Sequence, residues 1–411
     1  MKKFGLIGEK LGHSFSKTVH EKLGRYRYEL WPIEKEKLSD FMTNADFDGI
    51  NVTIPYKKDV IPYLDEVSEE ARLCGAVNTV VRRDGKLCGY NTDIFGMKHM
   101  LRRAGIALKN KNVLILGSGG TSGTALCLCR MEGAKRVERV SRTAKDGAIS
   151  YEKALTRKDT EVILNTTPVG MYPHMGQSPI DLSEFPHLEA VADAIYNPLK
   201  SQLIMEAEKR GLRATGGLSM LVSQAMYAAR LFTSDDSVLD RCEEITKEIY
   251  SSKENIVLTG MPGSGKSTIG KALANQLGRE FFDSDEEIVR EAEKPIPQIF
   301  AEEGEAAFRD LESRVIRSLS EKEGIVFATG GGAVLREKNI DILRGNGRIF
   351  FLDAPLSTLV STTDRPLSST PEALRQRYEE RYGIYCATAD VTVPVTRNLE
   401  ENLVALQKEI L

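Results

Sequence analysis

The chain reads NIVLTGMPGSGKST over residues 255–268, an apolar strand-like run followed at once by a glycine loop. The loop at residues 260–267 fills the pattern GxxxxGK followed by Ser or Thr. In this pattern backbone N–H groups hold the phosphates of a nucleoside triphosphate, the lysine reaches the β- and γ-phosphates, and the hydroxyl binds Mg²⁺. The sequence therefore predicts a P-loop domain with a parallel sheet, in which Lys266 and Ser267 bind ATP and Ser267 also binds Mg²⁺.

A second glycine turn, of a different kind, lies where the chain reads NVLILGSGGT over residues 112–121. An apolar strand, a glycine turn that opens a helix, and a second strand at residues 137–140 are typical of a dinucleotide-binding βαβ unit. An NAD site has an acidic residue at the tip of the second strand, whereas NADP favours an arginine. Here the strand ends in Ser141 and Arg142, which favours NADP.

Composition excludes several classes of protein. The chain has 411 residues, is 41% apolar and 28% charged, and carries a net charge of −3, which gives no nucleic-acid-binding signature. Its six cysteines form no CxxC pair, which argues against zinc and for reduced thiols in the cytoplasm. No apolar run approaches the ~20 residues that span a bilayer, and the run at residues 4–8 is too short for a signal peptide. We expect a soluble cytoplasmic protein without membrane or nucleic-acid partners.

Strand-like and helix-like segments alternate along the chain, which predicts an α/β fold. The pattern indicates a hairpin within residues 78–93, with its turn at Asp84 and Gly85, and a helix over residues 220–231. The expected strands are residues 4–8, 49–54, 112–116, 137–140, 161–164, 190–194, 255–259, 325–329, 348–352 and 391–395.

We predict three successive regions. An N-terminal α/β domain that would bind a substrate covers residues 1–104 and is completed by helices within about residues 221–250. A Rossmann-like nucleotide-binding domain covers residues 105–220, and the P-loop domain covers residues 254–411. The polar residues 250–254 are interpreted as a linker between self-sufficient cores.

Polar side chains follow several strand-like runs in the first region. They lie in the segments HSFS at residues 13–16, NVTIPYK at 51–57, GAVNT at 75–79 and NTD at 91–93. Ligands of open α/β sheets bind at such strand ends. Taken singly, the two serines could cap a helix that starts near Lys17, and a lone lysine such as Lys57 is usually exposed.

In combination, these segments resemble shikimate dehydrogenase over residues 1 to about 250. The paired serines, NVTxPxK, GAVNT and NTD all occur in the family's order, and NTTPVGM at residues 165–171 is similar to its loop beside the nicotinamide. Tyr196 and the segment from Gly217 to Gln224 match its last substrate-side part. The resemblance implies NADPH-dependent reduction of 3-dehydroshikimate to shikimate, with Lys57 and Asp93 as the catalytic pair.

The resemblance also assigns the remaining residues of this site. The family usually has asparagine at the position of Ser141 and alanine at that of Thr121. A quinate-preferring dehydrogenase is a rival, and Ser16, in place of a bulkier threonine, favours shikimate. The implied substrate-binding residues are Ser14, Ser16, Thr53, Asn78, Asp93, Tyr196 and Gln224, and those for NADP are Gly117, Ser118, Gly119, Gly120, Thr121, Ser141, Arg142 and Gly217.

Further segments of the P-loop region supply charges and a third glycine run. FFDSD at residues 281–285 ends a strand with two aspartates, GEAAFR occupies 304–309, and TGGG occupies 329–332. Singly, Asp283 could cap a helix, and a bare glycine run is usually a tight turn.

In combination with the P-loop, these segments resemble shikimate kinase from about Asn255 onwards. The resemblance implies that Asp283 lies near Mg²⁺ and that Asp285 binds the substrate hydroxyls, where it could act as base. It also implies a mobile lid whose RPL segment falls on residues 365–367, with Arg365 meeting the transferred phosphoryl group. The remaining implied ligands are Arg309, Gly331, Gly332 and Arg381 for shikimate, and Gly263, Ser264, Gly265, Lys266, Ser267, Thr268, Arg365 and Arg397 for ATP.

The two resemblances imply successive reactions of one metabolite, because the first activity would make shikimate and the second would phosphorylate it. The hypothesis is a bifunctional enzyme that uses NADP(H), ATP and Mg²⁺ and acts on small molecules, as a monomer or a homodimer. Two rivals concern the second half, which could phosphorylate a different polyol acid or be a non-catalytic nucleotide-binding module.

Overall fold

Three β-sheets organise the part of the chain that the computed structural model describes, namely residues 2–11, 15–359 and 370–410. The α/β expectation is confirmed, and each predicted strand corresponds to a strand of the structure within a few residues. The short 3-10 helices in the described residues are Lys35–Lys37, Ile61–Tyr63, Leu182–Glu184, Asp236–Arg241, Ala333–Leu335 and Leu356–Thr358.

The first sheet is mixed and has the order β2-β1-β3-β5-β6-β4. β1 pairs in parallel with β2 and β3, and β5 runs antiparallel between β3 and β6, with the predicted hairpin turn at Asp84 and Gly85. Its strands are β1 (Phe4–Gly8), β2 (Tyr28–Pro32), β3 (Gly49–Val52), β4 (Glu66–Val67), β5 (Thr79–Arg83) and β6 (Lys86–Tyr90), with helices α1 (Phe15–Leu23), α2 (Leu38–Asn44), α3 (Glu69–Cys74) and α4 (Thr92–Arg103).

The second sheet is parallel and has the order β11-β10-β9-β7-β8. Its strand β7 lies between β9 and β8 and is buried throughout, which explains the unbroken apolar run VLIL at residues 113–116. The strands are β7 (Asn112–Leu116), β8 (Arg136–Val140), β9 (Val162–Asn165), β10 (Ala190–Asp193) and β11 (Arg213–Thr215), with α5 (Gly120–Met131), α6 (Tyr151–Leu155) and α7 (Gln202–Lys209). The next two helices are α8 (Leu218–Thr233), which packs against α4 and α1 of the first sheet, and α9 (Cys242–Lys253).

The third sheet is parallel, with the order β13-β14-β12-β15-β16 and the P-loop strand at its centre. One helix of this region, α12, kinks at Gly304. The strands are β12 (Asn255–Thr259), β13 (Phe281–Asp283), β14 (Val326–Ala328), β15 (Gly347–Asp353) and β16 (Val391–Pro394), with α10 (Lys266–Leu277), α11 (Ser284–Ala292), α12 (Ile296–Ser320), α13 (Glu337–Asn346), α14 (Pro371–Thr388) and α15 (Leu399–Ile410).

The chain divides into two compact units. The first comprises residues 1–171, 177–196 and 203–249 and contains the first two sheets. The second comprises residues 172–176, 197–202 and 250–411 and contains the third sheet. The domain limits at residues 104, 220 and 254 stay predictions.

Residues 250–254, expected to be a linker, are the last turn of α9 followed by a single residue before β12. The interpretation as a linker is wrong because these residues are tied into the second unit. Lys253 is buried and pairs with Glu323 at 2.5 Å, and Arg279 donates a hydrogen bond to the carbonyl oxygen of Ser251 at 2.6 Å. The polar groups of this segment are therefore bonded to other residues of the second unit and do not mark a flexible connection.

Within the described ranges, none of the helices combines the length and the apolarity that crossing a membrane requires. All six cysteines are free thiols.

Candidate active sites

A cavity of about 220 Å³ opens in the first unit beside the residues that follow β3 and the start of α4. Asn51 and Val52, at the end of β3, form part of its wall. The cavity brings together the predicted residues Ser16, Thr53, Lys57, Asn78, Asp93, Thr121, Tyr196, Gly217 and Gln224.

Lys57 and Asp93 form the charged centre of this cavity. The Lys57 Nζ donates a hydrogen bond to Asp93 Oδ2 at 2.6 Å, and their side chains are 28% and 16% exposed. Asn78 Nδ2 donates to the other carboxylate oxygen at 2.9 Å. Since both oxygens of Asp93 are occupied, the carboxylate is fixed, while the ammonium has three N–H donors and can offer another to a ligand oxygen.

Local structure sets this geometry. Asp93 lies in the first turn of α4, where the helix dipole favours negative charge, and Asn91 caps the helix by accepting a hydrogen bond from the Ile94 N–H. Lys57 lies in the turn after β3, and its carbonyl accepts a hydrogen bond from the Val77 N–H at 2.8 Å. Two residues separated by 36 positions therefore meet side by side.

The dinucleotide-type turn follows β7 at the point where the order of the second sheet reverses. The Thr166 N–H and hydroxyl both donate to the Leu116 carbonyl, at 2.9 and 2.6 Å, which joins the ends of β7 and β9. A methyl group built on Gly119 or Gly120 would meet no atom within 4 Å, so the backbone at the start of α5 is open to a ligand. An open helix N-terminus at such a reversal fits a pyrophosphate.

At the end of β8, Ser141 and Arg142 have different environments. The buried Ser141 hydroxyl lies 3.2 Å from the Thr143 hydroxyl and accepts a hydrogen bond from the Thr143 N–H. Arg142 is exposed at the rim of the turn. A hydroxyl and a guanidinium with no acidic residue at the strand tip fit a 2′-phosphate.

A second cavity, of about 620 Å³, lies wholly in the second unit around the P-loop. Glu286 and Glu312 line it together with three apolar side chains, Ile296, Phe300 and Phe308. The predicted residues that it brings together are Gly263, Gly265, Lys266, Ser267, Thr268, Asp283, Asp285, Arg309, Gly331, Gly332 and Arg381.

The P-loop lysine and serine are arranged around the loop's own oxygens. Lys266 is buried, and its ammonium donates to the carbonyls of Gly260 at 2.8 Å and Met261 at 2.9 Å. The Ser264 hydroxyl is buried without a hydrogen-bond partner in the described part of the chain. A buried ammonium and an unsatisfied hydroxyl in a glycine loop fit the phosphates of ATP.

Beside the loop, the Ser267 hydroxyl donates to Asp283 Oδ2 at 2.5 Å. The other oxygen of Asp283 caps α11 by accepting a hydrogen bond from the Asp285 N–H at 2.9 Å. Hydroxyl and carboxylate oxygens are the hard donors that Mg²⁺ prefers, and Mg²⁺ commonly keeps several water ligands beside phosphate. The two side chains therefore fit the predicted Mg²⁺ site.

Arg309 and Arg381 bring two buried guanidinium groups to the same wall of this cavity. Arg309 donates to Glu312 Oε2 at 2.8 Å and to Glu305 Oε1 at 3.3 Å. Burial works against the charge of Arg309, but the neighbouring carboxylates outweigh it and raise its pKa. Burial lowers the pKa of Arg381, which donates to the Gly331 carbonyl at 3.0 Å.

The glycine run after β14 is packed against these arginines. A methyl group built on Gly332 would lie 2.1 Å from the Arg309 Nη1, so a side chain at this position would displace the guanidinium. The run therefore does more than turn the chain, because it leaves room for the cation that faces the cavity.

Comparisons with known proteins match two parts of the chain to two families. Residues 6–80 match the family model described as shikimate dehydrogenase substrate binding domain. A shikimate dehydrogenase (NADP(+)) from Clostridium beijerinckii is 34% identical over 271 residues, which cover 62% of this chain and 99% of that protein. The chain belongs to the shikimate dehydrogenase family.

Solved structures agree. The chain is 32% identical to a Thermus thermophilus shikimate 5-dehydrogenase in complex with NADP(H) and shikimate, with a TM-score of 0.53 over 60% of this chain and 99% of that one. It is 37% identical to a chorismate mutase/shikimate 5-dehydrogenase fusion protein from Clostridium acetobutylicum, with a TM-score of 0.56 over 60% of this chain and 97% of that one.

The second part of the chain matches a different family model. Residues 262–410 match the model of shikimate kinase. The chain is therefore a fusion of a shikimate dehydrogenase with a shikimate kinase, and its cofactors are NADP(H) and Mg²⁺-ATP.

Six predicted NADP residues line neither cavity and lie at the dinucleotide-type turn and the end of β8, namely Gly117, Ser118, Gly119, Gly120, Ser141 and Arg142. Four further predicted residues are not found in the lining of either cavity. Ser14 and Arg365 lie outside the described residues. Ser264 is buried within the P-loop, and Arg397 is exposed after β16 and does not line the cavity around the P-loop. The contact of Arg397 with adenine stays a prediction.

Asn51 and Glu312 are among the lining residues that were not predicted as site residues. Asn51 is buried, accepts a hydrogen bond from the Tyr28 hydroxyl at 2.7 Å and donates to the Thr79 hydroxyl at 3.0 Å. Glu312 is 1% exposed, and burial raises its pKa. The signal for Asn51 was its position in NVT, and that for Glu312 was its spacing of three from Arg309 on a helix.

Proposed function

We propose that the dehydrogenase part reduces the ketone of 3-dehydroshikimate to the hydroxyl of shikimate, and that the kinase part phosphorylates that shikimate to shikimate 3-phosphate. The observation that carries the proposal is the Lys57–Asp93 pair in one cavity, combined with the Lys266, Ser267 and Asp283 constellation in the other. The first set matches the reduction that would make shikimate, and the second matches the phosphorylation that would consume it.

In the first step, bound NADPH supplies a hydride to the ketone carbon, and the C=O electron pair moves onto oxygen. The Lys57 ammonium would stabilise the developing negative charge and transfer a proton to it. Asp93, held by Asn78, would keep the ammonium in position and favour its protonated form before the transfer. Ser16, Thr53, Tyr196 and Gln224 would bind the substrate's carboxylate and hydroxyl groups.

In the second step, Mg²⁺-ATP supplies the γ-phosphoryl group. Asp285 would accept the proton of the shikimate hydroxyl, and Arg309 and Arg381 would hold the carboxylate, for which planar guanidinium groups are well suited. Lys266 would exchange its carbonyl partners at Gly260 and Met261 for phosphate oxygens. Positioning and charge stabilisation account for most of the catalysis of phosphoryl transfer.

The alternative in which the second half is a non-catalytic nucleotide-binding module is not favoured, because its cavity retains the lysine, the aspartates and the buried arginines together. The protein would act in the cytoplasm on small molecules only, as a monomer or a homodimer. Ser16 in the cavity favours shikimate over quinate.

The test is a single reaction that contains the purified chain, 3-dehydroshikimate, NADPH and Mg²⁺-ATP. We expect shikimate 3-phosphate by mass spectrometry, with one NADPH oxidised for each ADP formed. The variant Lys266→Met should stop at shikimate with normal NADPH oxidation. Accumulation of shikimate by the unmodified chain would show that the second half does not act on this product.

A further inference from the structure

A third cavity, of about 560 Å³, lies in the first unit and shares none of its lining residues with the two candidate active sites. Most of its wall comes from one face of α4, with Phe95, Lys98, His99, Arg102 and Arg103. It is completed by Tyr227 of α8 and Glu243 of α9. We refer to it as the α4 cavity.

The α4 cavity is cationic in a chain whose net charge is −3. Three cations, Lys98, Arg102 and Arg103, face a single carboxylate, Glu243, which leaves a formal charge of +2 when histidine is neutral. Lys98 is paired with Glu132, outside the lining, at 2.7 Å. Within the described residues Arg102 has no acidic partner in ion-pair distance, so its guanidinium is available to an anion.

The geometry of Glu243 shows what this cavity can hold. One carboxylate oxygen lies 3.2 Å from His99 Nε2, and the other accepts a hydrogen bond from Arg103 Nε at 2.8 Å. The imidazole and the guanidinium thus already converge on one carboxylate. A second anion would find the Arg102 guanidinium beside it, and on the same helix face the Lys98 ammonium, which would share its donors between that anion and Glu132.

The apolar part of the α4 cavity is aromatic. Phe95 and Tyr227 stack with their ring centroids 4.7 Å apart and their planes at 20°. Both rings are only partly buried, so part of their apolar surface is open to a ligand beside the cations. Aromatic rings and guanidinium groups both favour flat partners.

We propose that the α4 cavity is a binding site for a small aromatic acid, in which a flat ring carries a carboxylate or a phosphate. The ring would pack on Phe95 and Tyr227, and the anion would bind Arg102 and Lys98. The volume is within the range of pockets that bind small molecules.

The two helices that carry this cavity also carry the dehydrogenase site. Asp93 is in the first turn of α4, and Gln224 lies on α8 one turn before Tyr227. A methyl group built on Gly96 would lie 2.7 Å from the Met220 carbonyl oxygen and 2.9 Å from Gln224 Cβ, so the helices touch with no spare room. A ligand that packs on Phe95 and Tyr227 would bear on the same two helices that hold Asp93 and Gln224. We therefore expect it to change the KM of the dehydrogenase and to leave the kinase unaffected.

The test is calorimetric titration of the full chain with phenyl phosphate, in the presence of saturating NADPH, shikimate and Mg²⁺-ADP, a set of ligands that fills both active sites without turnover. We expect one site per chain with a dissociation constant of about 0.1–1 mM, as for a small ligand held by few contacts. Inorganic phosphate, which lacks the ring, should bind at least about tenfold more weakly.

Arg102→Glu should weaken the binding of phenyl phosphate by at least about tenfold, because an attractive charge becomes a repulsive one. Arg72→Glu, an equal charge change at an exposed residue of α3, is the matched control and should bind normally. Arg102→Gln serves if Arg102→Glu does not fold. Equal binding by the Arg102 variants and the unmodified chain, or no binding of phenyl phosphate at millimolar concentration, would overturn the proposal.

Discussion

At the scale of single residues, both candidate sites depend on charges that are fixed by neighbours of opposite sign. Lys57 is held by Asp93, and Arg309 by Glu312. A buried or half-buried charge with a fixed partner loses little conformational freedom when a ligand binds, so its direction is set in advance. The two predictions at this scale test whether Lys57 and Arg309 act on the substrate of their own site.

Lys57→Ala should reduce dehydrogenase turnover by about 10²–10⁴-fold, since the variant lacks the proton donor. Kinase turnover should stay within about twofold, because the P-loop cavity lies wholly in the other unit. The control is Lys58→Ala, at an exposed neighbour that does not line the cavity. Steady-state rates of both activities provide the measurement, and equal loss of both in a folded variant would contradict separate sites.

Arg309→Lys should raise the kinase KM for shikimate by about tenfold or more, because a lysine lacks the planar fork that binds both carboxylate oxygens. The KM for ATP should change little. Arg314→Lys, at an exposed position on the same helix, is the matched control. If the KM for shikimate is unchanged, the substrate carboxylate must bind elsewhere, for example at Arg381 alone.

At the scale of elements, the structure contains the strands that apolar runs predicted. It also contains less regular strands that the sequence did not predict. β2 contains Glu29 and has half-exposed positions at the edge of its sheet, and β4 has only two residues, so neither gives a recognisable apolar pattern. The roles of Lys57 and Asp93 came from a resemblance. Their contact could not be predicted from spacing, since it depends on how the turn after β3 meets the start of α4, 36 residues further along the chain.

Helix α1 contains a buried histidine that makes the dehydrogenase part sensitive to acid. His20 stacks on Tyr28 with ring centroids 4.0 Å apart, and its Nδ1 lies 2.5 Å from the Tyr26 hydroxyl. Burial lowers the pKa of His20 to about 3 from an ordinary 6.5. Because the folded pKa is depressed, the unfolded chain binds the proton first, and stability falls as the pH drops below 6.5 towards 3.

Between pH 7 and pH 5 this histidine should cost about 2 kcal/mol of the free energy of unfolding. His20→Phe keeps the stacking and should lose that part of the pH dependence, even if it is less stable at pH 7. The measurement is urea unfolding at both pH values, followed by the fluorescence of Trp31, the single tryptophan of the chain, in β2 of the same sheet. An unchanged slope with pH would show that His20 is protonated in the folded protein.

At the scale of the whole molecule, the sequence indicated the two nucleotide-binding regions and a division near residue 250, but not that short segments of the first part belong to the second unit. The polar letters of residues 250–254 suggested a linker, whereas Lys253 and the Ser251 carbonyl are bonded within the second unit. That unit also includes residues 172–176 and 197–202, where the Lys200 N–H donates to the Gly345 carbonyl at 2.8 Å. Contacts between segments so far apart in the chain leave no local pattern in the sequence.

A kinase fragment that begins at Tyr250 should be more stable than one that begins at Asn255, by about 1–3 kcal/mol. The reason is that the shorter one lacks the buried Lys253, which pairs with Glu323, and the Ser251 carbonyl. Urea unfolding of both fragments, with kinase activity as a check on folding, makes the comparison. Equal stability would mean that the last turn of α9 contributes nothing to the second unit, and failure of both to fold would show that the halves need each other.

Both active-site cavities belong to one polypeptide, so the dehydrogenase and the kinase are always made in equal numbers. No change in transcription, translation or turnover can alter that ratio; it can only scale both together. The balance between supply and consumption of shikimate must therefore be set by the kinetic constants of the two sites, and a mutation that slows one of them cannot be offset by making more of that activity alone.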